Sequence, residues 1–166
     1  MKSEKELPFL SKMGYFIRQG YLDEYTRIRE KIPFKIINKK FRSLAFESTY
    51  QVATKAKTKK RVVEVEQTID RRDFEDLWNI AKIKLTKTRY DLYFGEAKWE
   101  IDYFRKNKKI YFALAEHEMP EGFLKPDFIP QPIKKHILLA VPINNSGYSS
   151  RRLASISYAK KIIKKL

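Results

Sequence analysis

The 166-residue chain contains no cysteine. Disulfides, thiolate metal sites and cysteine nucleophiles are excluded, and a reducing, cytoplasmic setting is expected. Only five residues are glycine, so long flexible loops are few, and no Gly-rich phosphate loop exists. No run of about 18 apolar residues is present, so no helix is expected to span a membrane. The start, MKSEKELPFL, lacks the apolar stretch of a secretory signal. Ser146 to Ser150 lacks the G-x-S-x-G spacing of a hydrolase nucleophile.

What is present suits one domain over 1–166. Hydrophobic residues make up 43% and aromatics 14%, enough for one sizeable core. Lys and Arg number 36 against 20 Asp and Glu, a net charge of +16. Such a field attracts polyanions: nucleic acid, phosphorylated metabolites or an acidic membrane surface. A lysine-rich composition set by an AT-rich genome accounts for the excess equally well, so net charge does not choose among them.

Alternation at period two marks strands in Thr26-Arg27-Ile28-Arg29, Arg61 to Ile69, Leu85 to Tyr90, Trp99 to Tyr103 and Ala113 to Met119. Asp70 opens a helix whose stripe is Asp73, Phe74, Leu77, Trp78 and Ala81. A basic C-terminal helix is expected over 151–166, and a weaker helical pattern runs near Leu10 to Gln19. Residues 121–132, with three of the 7 prolines, read as a loop. Ile32 to Phe46 reads as a hairpin extension.

The strands carry charges of one sign at i and i+2. Acidic pairs are Glu4/Glu6, Glu64/Glu66, Glu100/Asp102 and Glu116/Glu118; basic pairs are Arg27/Arg29 and Lys87/Arg89. Residues i and i+2 share a face, so each pair sets like charges side by side. Opposite them lie Val63, Val65, Trp99, Ile101 and Tyr103, too much apolar surface to face water. Two readings follow. The charges form outer faces that pair across strands, or the apolar side packs under helices and the charged side curls into a tunnel. A tunnel lined by both signs fits a polyphosphate carrying Mg²⁺ or Mn²⁺: cations meet phosphate oxygens, and carboxylates meet the metal.

The motifs resemble those of the CYTH superfamily, the triphosphate tunnel metalloenzymes, from Glu4 to about Ala154. Glu4-Lys5-Glu6 is similar to the start of the E-x-E-x-K strand. Ile17 to Leu22 is similar to I-x-Q-G-Y-L, and Arg27-Ile28-Arg29 to R-x-R. Lys87-Thr88-Arg89-Tyr90, Trp99-Glu100-Ile101-Asp102 and Ala115-Glu116-His117-Glu118 are similar to K-T-R-Y, W-E-I-D and A-E-I-E. Tyr148 to Ala154 is similar to the closing Y-x-x-x-x-L-A segment.

This resemblance implies a mainly β, α+β fold: an eight-stranded antiparallel barrel with a charged interior and helices packed outside. It implies phosphate binding by Arg27, Arg29, Lys55, Arg61, Lys87 and Arg89, with catalysis drawing on Lys55, Lys87 and Arg89. It implies metal binding by Glu4, Glu6, Glu116, Glu118, Asp102 and Glu100, with Glu64 and Glu66 also lining the tunnel. The signature Lys two residues after the second Glu is Pro8 here. The expected function is Mg²⁺- or Mn²⁺-dependent hydrolysis of inorganic, nucleoside or thiamine triphosphate. Binding without turnover and adenylate cyclisation are the alternatives. The expected partner is a small-molecule triphosphate, bound by a monomer or homodimer; neither a membrane nor nucleic acid is expected. His117, between two of these acids, falls on the other strand face, and His136 has no metal-type partner nearby in sequence.

Overall fold

The computed structural model describes residues 6–38, 40–59, 62–117, 119, 125–141 and 145–165. Glu4, Arg61, Glu118 and the side chain of Pro8 lie outside what is described. The described strands form one antiparallel sheet: β1 (Met13–Tyr21), β2 (Thr26–Ile37), β3 (Lys40–Ser43), β4 (Thr49–Lys57), β5 (Val62–Thr68), β6 (Ile83–Phe94), β7 (Ala97–Lys106) and β8 (Lys109–His117). Across the sheet the order is β5-β4-β2-β1-β6-β7-β8, and β3 pairs with the end of β2. Helices α1 (Arg71–Ile80), α2 (Gln131–Lys134), α3 (Ser150–Leu153) and α4 (Ile156–Ile163) complete the described fold.

The class is the mainly β, α+β one expected, but the ring of strands is not closed. Among the described residues β5 and β8 each pair on one side only. The segment expected to supply a further strand through Glu6 runs instead into a 3-10 helix at Leu7–Leu10.

Local chemistry sets the elements. Long strands β6 and β7 meet at a tight turn where Gly95 takes φ of 63°, the left-handed region glycine tolerates. Asp70 caps α1 by accepting from the Asp73 amide at 2.8 Å. Inside α1, Phe74 is fully buried and stacks on Trp78 at 5.9 Å. The hairpin expected at Ile32 to Phe46 is the β2–β3 pairing, which runs from Phe34↔Ser43 to Ile37↔Lys40.

One face of the sheet is apolar. Phe34, Tyr90, Leu92, Trp99, Ile101 and Tyr103 pack there with Leu7 and with Ile133 of α2. On the same side, Ile28 packs with Phe74 and Ala81 under α1. The other face carries the charges, yet at its β6–β8 end it turns apolar. There Leu85, Phe104 and Phe112 pack with Leu153 of α3 and Ala159 of α4.

Four expectations are corrected. Helices α1 and α2 lie on the apolar face, but α3 and α4 pack on the charged one, because its apolar end matches their stripe. The single C-terminal helix is two, split where Ser155 caps α4 by accepting from the Tyr158 amide at 3.3 Å. Leu10 to Gln19 is not helical: Met13–Tyr21 is strand β1, inside the sheet between β2 and β6. Val65 on β5 is 64% exposed, so the apolar side of that edge strand is not covered.

Candidate functional site

Period two places Arg27, Arg29 and Lys31 of β2 on the charged face. Register then lines up the rest. Arg29 lies opposite Gln19, Ile17 opposite Lys87, Arg89 opposite Asp102, Glu100 opposite Glu116, and Lys55 opposite Glu64. Arg27, Arg29, Lys55, Lys87, Arg89 and the acids Glu64, Glu100 and Glu116 line a cleft of about 420 Å³, within the usual range of about 300–1,000 Å³ for small-molecule sites. Glu64 of edge strand β5 and Glu116 of edge strand β8 line the same cleft, so the sheet is strongly curled. The cleft's lining includes Arg27, Arg29, Lys55, Lys87 and Arg89 together with Glu100.

Asp102 is the anchor, at 0% exposure. It accepts from Lys87 Nζ at 2.5 Å and from Arg89 Nε and Nη2 at 2.7 and 2.6 Å. Arg89 also meets Glu100, and Glu116 at 3.2 Å. Lys98 donates to Glu100 at 2.8 Å and pairs with Asp91 at 3.1 Å. On the opposite wall Arg27 bonds Glu64 at 2.6 Å and Glu66 at 3.2 Å, while Lys55 reaches Glu64 at 3.2 Å.

Burial alone would push Asp102 up, but hydrogen bonds from Arg89 and the charges of Lys87 and Arg89 overcome it and hold the carboxyl below its ordinary range. Lys87 is pulled down by burial and by Arg89, despite Asp102. Glu116 is pushed up by burial and by the neighbouring Asp102 charge. Its side chain is nevertheless 48% exposed, so solvent screens it and the shift matters little for stability. Arg29 is pulled down to about 10, by burial first and then by Arg27 and Arg89. Burial, Arg29 and Arg89 lower Lys31 in the same way. Among the described residues no carboxylate lies within 4 Å of Arg29; its recorded contact is Gln19 Oε1 at 3.3 Å. Positive charge on this wall is therefore undercompensated.

A pH dependence follows from Asp102. Its folded pKa lies below the unfolded value of about 3.9, so its contribution is complete above that value and lost as pH falls through the folded pKa. Urea denaturation from pH 7 to pH 3 is expected to show stability nearly level down to pH 5 and falling below about pH 4. In Asp102→Asn that acid fall is expected to shrink.

Of the residues singled out from sequence, the structure brings together Arg27, Arg29, Lys55, Lys87, Arg89, Glu64, Glu100, Asp102 and Glu116, with Glu66 bonded to Arg27. It does not bring Glu6 to them. Glu6 pairs with Lys135, just after α2, and with His136 Nε2 at 3.3 Å. The adjacent Leu7 anchors the segment in the core of the apolar face, opposite the cleft. His117 stacks on Trp99 at 4.9 Å, on the apolar face. Sequence reasoning missed Lys31, which continues the Arg27/Arg29 alternation and could have been found that way. It also missed the rim formed by Tyr21, Glu24, Tyr25 and Ser149 to Arg151. Ser150 Oγ lies 3.4 Å from Lys87 Nζ.

Among the described residues no group of three or more carboxylates or imidazoles is arranged to hold a metal ion by itself. Of the cleft's acids, Glu100 is engaged by Arg89 and Lys98, Glu116 by Arg89, and Glu64 by Arg27 and Lys55. Glu64, Glu100 and Glu116 are each partly open to solvent. No protein-family profile matches the chain, no curated protein is significantly similar to it, and no solved structure matches it.

Proposed function

We propose that the curled sheet works as a triphosphate tunnel, and that the chain hydrolyses a metal-bound triphosphate within it. The observation that carries the reading is the undercompensated cationic wall. Arg29 and Lys31 sit among Arg27, Lys87 and Arg89, and burial and mutual repulsion weaken the protonated state of Arg29. A polyanion relieves that repulsion, and charge-assisted bonds from guanidinium to phosphate are strong and directional. The same cations are placed to hold charge that builds on the leaving phosphate oxygens. Glu100 and Glu116 would share the substrate's divalent cation, which neutralises phosphate charge when bound.

Binding without turnover is the second reading, and one observation favours it: Glu6 is held by Lys135 and His136, away from the cleft. Phosphate release and calorimetry separate the two. Release of phosphate from triphosphate with Mg²⁺ or Mn²⁺, lost on chelation, supports hydrolysis. Calorimetric binding with no release at any pH supports the binder. Affinity is expected to fall steeply with added salt, because the partners are small, opposite charges.

A further inference from the structure

A second groove lies at the end of the sheet where β6 begins, β7 ends and β8 begins. It is bordered by Trp78 of α1, by Lys84, Arg105 and Lys106 of the strand ends, and by Ala154 and Ile156 beside α3 and α4. It shares no lining residue with the cleft. Among the described residues none of its lining is acidic. Three segments meet here, 77–90, 103–115 and 145–165, and none contains Asp or Glu. Nearby acids are turned to other partners. Glu75, on the face of α1 that carries Trp78, accepts from Arg18 at 2.8 and 2.9 Å. Asp23, in the β1–β2 turn, accepts from the amides of Tyr25 and Thr26, both at 2.7 Å. Neutral groups orient two of the cations. Lys84 Nζ donates to the Asn79 carbonyl at 3.2 Å and lies over the Trp78 ring at 5.5 Å. Arg105 donates to Thr88 Oγ1 at 2.9 Å and to the Lys108 carbonyl at 3.1 Å. The β7–β8 turn adds Lys108, with φ of 68° after Asn107 at 49°. Two such residues in a row make a turn that favours Asn-Gly, and a long side chain takes the second place only at a cost. Lysine thus stands where glycine would suit the backbone.

We infer that this end of the sheet binds the phosphate backbone of a nucleic acid, without reading its sequence, at a site separate from the cleft. A basic helix alone reads as a solvated face, which is why the sequence raises no such expectation. The structure adds three strand ends and a turn beside that helix. Lys84, Lys106 and Lys109 stand at neighbouring ends of β6, β7 and β8, a span of about 10 Å for two strand spacings. One nucleic-acid strand presents a phosphate about every 3.4 Å of axis, so the row meets about three of them. The groove holds about 260 Å³, less than the roughly 300–1,000 Å³ that encloses a small molecule, and so suits a chain that passes over it. Arg18 at 4.5 Å and Phe74 at 5.9 Å cover the Trp78 ring, which is not free to stack on a base or enter a lipid surface. The apolar stripe of α4 is packed on the sheet, so a membrane would meet charge alone. Contacts limited to phosphate position a nucleic acid but carry no sequence information.

The test is fluorescence anisotropy of the intact chain with a short labelled DNA duplex and a short labelled RNA of mixed sequence, at about 50–200 mM salt. Dissociation constants of about 10⁻⁶–10⁻⁴ M are expected, little changed by sequence, with log affinity falling against log salt at a slope of about −3. Lys84→Gln, Lys106→Gln and Lys108→Gly together should weaken binding at least about tenfold and flatten the slope by about 2–3. Lys108→Gly alone should flatten it by about 1 and melt at or above the wild-type temperature, because glycine fits that φ. Lys12→Gln, Lys35→Gln and Lys40→Gln, at the sheet's other end, remove the same charge and should change affinity by less than about twofold. Equal losses in the two triple variants would mean that net charge alone attracts the nucleic acid. An unchanged slope in the groove variant would place binding elsewhere. Binding to phosphatidylserine vesicles but to neither nucleic acid would assign the surface to a membrane. Each of these overturns the inference and leaves the triphosphate site untouched.

Discussion

Replacing Arg29 with methionine is expected to weaken triphosphate binding by about a hundredfold while leaving thermal stability unchanged or raised. The two effects separate because Arg29 does different things in the free and bound states. In the free protein its guanidinium is largely enclosed, crowded by Arg27 and Arg89, and pulled down to about 10. Its recorded contact is one weak bond to Gln19. A buried charge without a close partner costs stability, so methionine, which keeps the length of the aliphatic stem and is neutral, removes a burden. In the bound state the same guanidinium would be fully used by phosphate oxygens, and its loss leaves ligand charge unpaired. Calorimetric titration with triphosphate gives the first effect and a thermal melt gives the second. Lys160→Met, on the exposed face of α4, is the control and should change neither. If Arg29→Met destabilises the fold by several kcal/mol, Arg29 is a structural residue. If affinity is retained, the cationic wall is not the binding site.

Asp102→Asn is expected to be the most damaging single change to the fold, costing about 3–5 kcal/mol in urea denaturation. Among the described residues, Asp102 is the one carboxylate ion-paired with both Lys87, at 3% exposure, and Arg89. Asparagine removes the charge and turns amide donors toward two cations that need acceptors. Removing one partner of a buried pair costs more than removing both. Asp102→Leu combined with Lys87→Met should therefore recover a good part of the loss, since Arg89 keeps Glu100 and Glu116. Bound triphosphate would supply the missing negative charge, so it should raise the melting temperature of Asp102→Asn more than that of the wild type. A cost below about 1 kcal/mol would mean that water or a rearranged neighbour replaces the carboxylate, and the network is not the anchor described here.

Particular residues explain what could be read from the chain. Strands β5 and β7 were legible because alternation survives where the two faces differ, as at Val63-Glu64-Val65-Glu66 and Trp99 to Asp102. Strand β1 was not, because it lies inside the sheet with residues buried on both faces, Gly14 and Ile17 among them, and period two is blurred. The cationic and acidic pairs were legible because strand parity puts them on one face whatever the sheet's curvature. Their convergence in one cleft depends on that curvature, which no local pattern encodes.

The position of Glu6 could not be read either. Its neighbour Leu7 is buried in the cluster that holds Phe34 and Tyr90, and Lys135 and His136 pair the carboxylate, contacts that no local pattern encodes. The C-terminal stripe of Leu153, Ala159 and Ile162 fits an apolar patch on either face. The sequence has no marker that Leu85, Phe104 and Phe112 place the patch on the charged face. The rim at Asp23 to Tyr25 is an exposed turn, and such turns carry no hydrophobic period.

The most direct test is a crystal structure of the protein grown with triphosphate and Mn²⁺. The account predicts the ligand between β2 and β6, its oxygens bonded to Arg27, Arg29 and Arg89, with Glu100 or Glu116 turned from Arg89 toward the metal. An empty cleft with Arg89 still clasped by Asp102, Glu100 and Glu116, and triphosphate held by surface lysines elsewhere, would contradict it.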